Sequence, residues 1–259
     1  MNKGAKQLTH PELQYKNLIA KIIHEGFFRP SPHQPINGVP NPGTFSLINE
    51  NMKFDLSDGL FPLMTLRKAP LRLVAAELVW FLSGSTNNQD LHAMDVHFWD
   101  PWDTPDTNQK EGWQEGQLGP IYGKQWRHWR ATMERPDGKL TSRGFDQIQN
   151  LLQMAINSPH SKRLYVTAYD PQDAHDCFVT TCHGLFFCQV WKDHLHMHMV
   201  QRSGDVPVGI PFNIASYSLL LMMLAKVLGY QPGALDHTIS DAHLYENQVT
   251  SMRELLDRD

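Results

Sequence analysis

The sequence predicts an α+β protein in which helices pack on a mixed β-sheet. Segments rich in β-branched and aromatic residues are typical of strands, and three of them cover residues 164–169, 184–191 and 194–200. Segments with apolar residues at helical spacing interleave with these strands in no strict alternation, which favours a mixed sheet. The chain has 259 residues and no linker-like stretch, so we expect one domain over residues 1–259.

The first part of the chain contains two predicted helices. Residues 11–28 carry apolar side chains at mostly helical spacing, and a glycine lies near the expected helix end. Residues 29–43 are rich in proline, which predicts a long surface loop, and residues 44–54 look like a strand pair. Pro70 and Gly84 then bracket a second helix, because proline is favoured in the first turn and glycine just beyond the last.

The second part of the chain contains a long apolar helix. Residues 103–117 are polar and turn-rich, which predicts an exposed insertion, and residues 145–157 have helical spacing. Residues 213–228 predict the central helix, which Gly229 can end. Its apolar run, residues 214–228, contains serine and lysine and is too short to span a bilayer, so we interpret it as a buried helix.

The composition limits the class of protein. A hydrophobic fraction of 41% and a charged fraction of 19% are typical of a soluble globular protein. The net charge of −4 gives no general attraction to nucleic acids or anionic membranes, so any anion site must be local. The three cysteines are an odd and sparse set, which argues against a secreted disulfide framework. The N-terminal residues lack the apolar core of a signal peptide, so we expect a cytoplasmic protein.

Three side chains in one short region indicate chemistry on a pyrimidine nucleotide. Cys182 supplies a thiol nucleophile, Arg202 a guanidinium that can bind a phosphate, and Asn213 a carboxamide that can pair with a base edge. A carboxamide can accept from uracil N3–H and donate to O4, and cytosine reverses both positions. Each residue also has a plainer interpretation: a small buried cysteine, a surface ion pair and a helix N-cap.

The chain resembles the thymidylate synthase and pyrimidine hydroxymethylase superfamily in a series of motifs that follow the family's order. The motifs are Glu77-Leu78-Val79-Trp80-Phe81-Leu82, Phe98-Trp99-Asp100-Pro101-Trp102, Leu118-Gly119-Pro120-Ile121-Tyr122-Gly123-Lys124-Gln125-Trp126, Thr181-Cys182-His183, Gln201-Arg202-Ser203-Gly204-Asp205-Val206, Gly209-Ile210-Pro211-Phe212-Asn213-Ile214-Ala215-Ser216-Tyr217 and Asp241-Ala242-His243-Leu244-Tyr245. The resemblance rests on their ordered agreement and not on any single motif.

The resemblance implies a thymidylate-synthase-like mixed sheet, one face of which forms a homodimer interface. It implies one-carbon transfer from 5,10-methylenetetrahydrofolate to carbon 5 of dUMP, without a metal, DNA or a membrane. The implied catalytic residues are Cys182, Glu77, Tyr122 and His183; Arg202, Ser203, Asn213, His243 and Tyr245 bind the nucleotide, and Asp205, Trp99, Trp102 and Gly209 bind the folate. Lys162 and Arg163 match the family's basic pair, which reaches the partner subunit's phosphate site.

Several of these assignments have alternatives that the sequence leaves open. Glu77 can instead be an exposed residue on the polar side of its helix, and Lys162 with Arg163 can be a solvated charge pair. Trp99 and Trp102 can be core residues, because large aromatic side chains are mostly buried in soluble proteins.

A set of alternating histidines also has two interpretations. His194, His196 and His198 lie on one side of a predicted strand, which resembles the spacing of zinc ligands but also suits a polar face at a subunit interface. We favour the polar face. Cys177 and Cys188 lack the spacing of a zinc pair, which indicates structural roles.

Three departures from the family pattern bear on the reaction. The loop at residues 39–43 lacks the family's phosphate-binding arginine, which Arg29 can replace, and Thr181 stands where synthases have a proline. The sequence ends at Asp259, before the tail that closes over the folate in synthases. Because closure excludes water, we expect water to attack the intermediate and give hydroxymethyl-dUMP. The alternatives are thymidylate synthase, a dCMP or CMP hydroxymethylase and an inactive nucleotide-binding homologue.

Overall fold

The computed structural model describes residues 10–31 and 41–258. Its helices are α1 (Pro11–Glu25), α2 (Leu71–Ser83), α3 (Asn88–His92), α4 (Pro105–Glu111), α5 (Tyr122–Arg127), α6 (Gln147–Asn157), α7 (Gly209–Leu228) and α8 (Val249–Leu256). Its strands are β1 (Phe27–Arg29), β2 (Thr44–Asp55), β3 (Met133–Glu134), β4 (Lys139–Leu140), β5 (Tyr165–Val166), β6 (Leu185–Trp191), β7 (His194–Gln201), β8 (Gly204–Asp205) and β9 (Gln231–Tyr245). Short 3-10 helices cover Asp173–Asp176 and Glu246–Gln248.

One large sheet organises the fold. Its strands follow the order β1-β2-β9-β7-β6-β5, and β8 pairs with β9 beside this path. Strand β9 runs parallel to β7 and β8 but antiparallel to β2, so the sheet is mixed. The predicted α+β class is therefore confirmed. The central strand β9 is 15 residues long, and its C-terminal end lies beside β8.

The apolar core lies between the inner face of the sheet and helix α7. Ile214 and Leu221 of α7 are fully buried, as are Leu195, Met199 and Ile239 on the strands. By length and composition alone α7 could cross a membrane, but 61% of its most apolar window is buried inside the fold. It is therefore a core helix, as predicted, and α2 and α6 pack beside it.

The outer face of the sheet exposes aromatic and histidine side chains. Tyr165, Phe187 and His198 lie side by side on β5, β6 and β7, and the Phe187 ring centroid is 6.1 Å from each of the other two rings. Trp191, on the same strand as Phe187, is 70% exposed. Exposed apolar patches of this kind mark interaction surfaces. The homodimer through this face stays a prediction.

Two local predictions need correction. The strand pair predicted at residues 44–54 is wrong, because β2 is a single strand of 12 residues that pairs along its length with β9. Asn49 produces only a local irregularity, with a φ of 58° that asparagine tolerates. The insertion at residues 103–117 is only partly exposed, because it contains α4 and the buried Trp113. Most of the predicted loop at residues 29–43 lies outside the described residues.

Candidate active site

The backbone of Cys182 is held from both sides just before β6. Its N–H donates to the Tyr122 Oη at 2.8 Å. Its carbonyl accepts from the Tyr169 Oη at 3.0 Å and from the Arg202 N–H at 2.8 Å. These bonds join α5, the turn before β6 and the end of β7 at one point. The thiol therefore extends from a fixed backbone, as a nucleophile requires.

The Arg202 side chain lies over the thiol. Its Nη2 is 3.7 Å from the Cys182 Sγ and donates to the Thr180 carbonyl at 3.1 Å, while its Nε donates to the Thr181 carbonyl at 3.2 Å. Burial raises the pKa of Cys182 above its ordinary value of 9.0, and the charge of Arg202 opposes this shift. The charge of Arg202 favours the thiolate, but burial outweighs it.

His183 and Tyr122 form a neutral polar layer behind the cysteine. Their rings stack with centroids 4.4 Å apart, and the His183 Nδ1 lies 2.9 Å from the Tyr217 Oη. Burial lowers the pKa of His183 to about 3, and it raises the pKa of Tyr122 well above its ordinary value of 10.0. These groups are therefore uncharged at neutral pH and can relay protons by hydrogen bonding.

Glu77 places a carboxyl group in the otherwise apolar helix α2. Its Oε1 accepts from the Trp99 Nε1 at 3.0 Å. Burial raises the pKa of Glu77 from an ordinary 4.5 to about 7, and the bond from Trp99 reduces this shift. The residue retains some solvent-accessible area, although protein surrounds its carboxyl group. Its pKa does not fit the alternative of an exposed glutamate.

Asn213 lies inside α7, whose first residue is Gly209 and whose N-cap is Val208. The helix thus begins earlier than predicted, and the interpretation of Asn213 as an N-cap is wrong. Its Oδ1 accepts from the Gln201 Nε2 at 3.0 Å, and the Gln201 Oε1 lies 2.9 Å from the His237 Nε2. This chain of contacts fixes the orientation of the Asn213 carboxamide.

The end of β9 brings a second polar group beside β8. The rings of His243 and Tyr245 meet edge to face with centroids 5.4 Å apart, so they lie on one side of the strand. Asp205 pairs in register with His243, and burial raises the pKa of its carboxyl. The Gln248 Nε2 donates to Asp205 at 3.3 Å.

Arg29 is engaged by a neighbouring carboxylate. Its Nη2 donates to the Asp241 Oδ2 at 2.5 Å and to the Ser46 Oγ at 2.8 Å. In the region of residues 39–43, where the family has its arginine, residues 39 and 40 lie outside the described residues. Because Arg29 neutralises Asp241, its role as a substitute phosphate ligand stays a hypothesis.

The two tryptophans among the predicted folate residues differ in burial. Trp99 is buried and packs against Tyr122 at a centroid distance of 6.1 Å, whereas Trp102 is 41% exposed and lies 5.7 Å from Trp99. Trp99 thus combines a core position with its contact to Glu77. Gly209 is the first residue of α7, the helix that also carries Asn213.

The alternating histidines have separate partners. His194 contacts Asp193 at 2.7 Å, His196 accepts from the Ala234 N–H at 3.0 Å, and His198 lies 2.9 Å from Thr238. The shared face that was predicted is present, and these separate partners favour a polar surface over a common metal ion.

The sequence did not identify several residues of the site, because their roles depend on contacts with residues far away in the chain. Tyr169 bonds both Cys182 and the Arg202 backbone, and His237 orients Gln201. Gln201 and Tyr217 belong to the family motifs. Their closeness in sequence to Arg202 and Asn213 could therefore have indicated a role in the site. Tyr169 and His237 carried no signal of this kind.

These residues all lie within a match to a known family. A family model described as thymidylate synthase matches residues 13–259. Proteins of this family are soluble one-carbon transferases that act on dUMP and use methylenetetrahydrofolate as co-substrate. The resemblance drawn from the motifs is thereby confirmed. The chain belongs to the thymidylate synthase family.

Proposed function

We propose that Cys182 forms a covalent bond with dUMP during one-carbon transfer from methylenetetrahydrofolate to carbon 5 of the base. The observation that carries this proposal is the Cys182 Sγ, 3.7 Å from the Arg202 guanidinium. One cation can bind the nucleotide phosphate and favour the thiolate. A nucleotide bound there has its ring within reach of the sulfur, which makes the addition effectively intramolecular.

The reaction begins when the thiolate adds to carbon 6 of uracil and the ring electrons move to O4. Carbon 5 then attacks the folate methylene and loses its proton, and tetrahydrofolate leaves as an exocyclic methylene forms. Glu77 is the proposed proton carrier, because a pKa of about 7 lets it hold or release a proton near neutral pH. The neutral His183 and Tyr122 extend this path by hydrogen bonds.

The base is selected by Asn213. Because Gln201 donates to its Oδ1, the carboxamide has a preferred orientation, and the oxygen keeps a second lone pair for uracil N3–H. Its Nδ2 donates to O4. Cytosine presents the opposite pattern, and leaving polar groups unpaired in a closed pocket costs about 1–3 kcal/mol. This favours dUMP over dCMP or CMP.

The remaining substrate contacts that we propose come from residues near Arg202 and Glu77 and at the end of β9. Ser203 follows Arg202 and joins the phosphate site, and His243 with Tyr245 bonds the sugar hydroxyl. The folate contacts that we propose are Asp205, Trp99, Trp102 and Gly209. The exposed Trp102 offers a ring surface, and Asp205 offers a carboxyl group, to the pterin.

For the last step we propose attack by water, giving hydroxymethyl-dUMP and tetrahydrofolate. As a carboxylate, Glu77 can take a proton from water while the oxygen bonds to the exocyclic methylene. The bond between carbon 6 and Cys182 then breaks, and the ring double bond returns. Two features support this step: the pKa of Glu77 near 7 and the 41% exposure of Trp102, whose ring solvent can reach.

Thymidylate synthesis is the second candidate, favoured by the description of the matching family model. In that reaction the tetrahydrofolate delivers hydride to the exocyclic methylene, which gives dTMP and dihydrofolate. Both routes share every earlier step and every substrate. The identity of the product therefore separates them.

The test is to incubate the protein with dUMP and methylenetetrahydrofolate, follow dihydrofolate absorbance and identify the nucleotide by mass spectrometry. We expect hydroxymethyl-dUMP without dihydrofolate, and formation of both dTMP and dihydrofolate would reject the water route.

Cys182→Ser should abolish product while calorimetry still detects dUMP binding. Cys177→Ser is the matched control, because Cys177 is also partly buried. Turnover by Cys182→Ser would exclude the covalent route.

We further propose that the protein is a cytoplasmic homodimer paired through the outer sheet face. The exposed aromatic side chains of that face support the pairing. Lys162 and Arg163 are exposed just before β5, the edge strand of the sheet. From this edge they can reach the partner subunit's phosphate site and compensate for the arginine that the loop at residues 39–43 lacks.

A further inference from the structure

We propose that His92, His97 and Asp100 bind a zinc ion. One possible ligand atom from each residue lies within 4.8 Å of the others. The His92 Nε2 is 2.7 Å from the Asp100 Oδ1, and the His97 Nδ1 is 2.9 Å from the Asp100 Oδ2. Ligands about 2 Å from a tetrahedral zinc ion are roughly 3.3 Å apart, so only small movements are needed.

The chemistry of this His–Asp cluster matches zinc. Zinc binds both imidazole nitrogen, a borderline ligand, and carboxylate oxygen, a hard ligand. Two imidazoles and one carboxylate leave a fourth position for water. Both histidines are exposed, so an ion can enter from solvent. The carboxylate supplies one negative charge to offset the ion's charge.

The groups around the His–Asp cluster fit a second layer of a metal site. If the His97 Nδ1 binds the ion, its Nε2 carries the proton, and this nitrogen lies 3.7 Å from the Asp95 Oδ1. The Asn88 Nδ2 donates to the Asp100 Oδ1 at 3.0 Å and to the Asp103 Oδ2 at 3.1 Å. Such partners fix the tautomer and orientation of metal ligands.

An unpartnered buried oxygen provides a separate observation. Asn88 is fully buried, and its Oδ1 has no hydrogen-bond partner within residues 10–31 and 41–258. Its amide nitrogen is 3.3 Å from the His92 Nε2, so the amide group lies against the cluster. Leaving a buried oxygen unpaired is costly. Because the Asn88 Nδ2 already donates to Asp100 and Asp103, the amide keeps this orientation and supports the ligands from behind.

Zinc at this position would join α3 to the segment that carries Trp99. The Trp99 indole donates to the Glu77 carboxyl, so the ion would hold the segment that contacts Glu77. This assignment does not depend on which product the enzyme forms. The competing arrangement is a hydrogen-bonded triad, in which both imidazoles donate to Asp100 and no ion is needed.

Zinc titration of the full chain, without a polyhistidine tag and after chelator treatment, distinguishes the two arrangements. We expect calorimetry to give one Zn²⁺ per chain and zinc to raise the Tm. His97→Asn should weaken binding by more than about tenfold and abolish the rise in Tm. Because His97 is exposed, this variant should otherwise melt like wild type. Absence of zinc binding by the wild-type chain would establish the metal-free triad and overturn the proposal.

His196→Asn is the matched control, because it removes an imidazole from the outer sheet face. It should leave zinc affinity unchanged. If His196→Asn weakens binding and His97→Asn does not, the ion belongs to the outer face and the assignment is wrong. Co²⁺ gives a second measurement: its visible absorption should be lost in His97→Asn and kept in His196→Asn.

Discussion

Glu77 links proton transfer to stability at the scale of one residue. Its pKa is about 7 in the folded protein, compared with an ordinary 4.5. Between these two values the folded chain binds more protons than the unfolded chain, so the free energy of unfolding falls as the pH rises. The contribution is complete below pH 4.5 and lost above pH 7. It amounts to at most about 3 kcal/mol.

Glu77→Gln removes this titration because the amide stays neutral. Relative to wild type, the variant should gain up to about 3 kcal/mol in free energy of unfolding between pH 5 and pH 8, measured by urea denaturation. Its turnover should fall by about 10²–10⁴-fold. Glu254→Gln, at an exposed position in α8, is the control and should show neither effect. A constant stability difference across this pH range would contradict the argument.

Asn213→Asp tests how the base is read. A carboxylate cannot donate to O4 of uracil, but it can accept from the amino group of cytosine. The ratio of kcat/KM for dCMP over dUMP should rise by about 10-fold or more, since unpaired groups cost about 1–3 kcal/mol. Asn157→Asp adds the same charge at an exposed site at the end of α6 and should leave the ratio unchanged. Unchanged selectivity in Asn213→Asp would mean that another group reads the base.

At the scale of elements, local signals predicted the helices better than the strands. Pro70 and Gly84 delimit α2, because a glycine with a φ of 86° ends the helix as its sequence position indicated. The course of β2 depends on pairing with β9, which lies far away in sequence, so the residues of β2 alone did not indicate a single strand. The motifs identified Cys182 and Arg202, but they did not show that the Tyr169 hydroxyl forms hydrogen bonds with the backbone of both residues.

Gly184 controls the entry into β6. Its φ is 111°, and a Cβ there would lie 2.5 Å from the Ala168 Cβ. Gly184→Ala should therefore combine backbone strain with overpacking and lower the free energy of unfolding by about 2–4 kcal/mol. Because Gly184 adjoins His183, turnover should also fall. Urea denaturation measures the first effect.

Gly59→Ala is the matched control for Gly184→Ala. Gly59 also has a positive φ, 83°, but nothing lies within 4 Å of an added Cβ. Only the strain should remain, at about 1–2 kcal/mol. Equal losses in the two variants would show that the contact with Ala168 has no effect.

In the whole molecule, the two faces of the sheet have different surroundings. The inner face packs against α7, and the end of β7 contacts groups that are far apart in sequence, the Cys182 carbonyl and the Asn213 carboxamide. The outer face carries exposed aromatic side chains. If the outer face pairs two chains, basic residues near β5 become part of the neighbouring site. The phosphate site would then need both subunits.

Mixing two inactive variants tests this shared site. We expect Cys182→Ser and Arg163→Ala to lose activity separately, and their mixture, after subunit exchange in mild denaturant, to recover about a quarter of wild-type activity. Half of the dimers are then mixed, and each has one complete site. Cys182→Ser with Arg202→Ala is the control, because both residues serve the same subunit and no mixed dimer regains a site. No recovery with Arg163→Ala would place Arg163 outside the partner's site, and recovery in the control would mean that Arg202 also serves the partner.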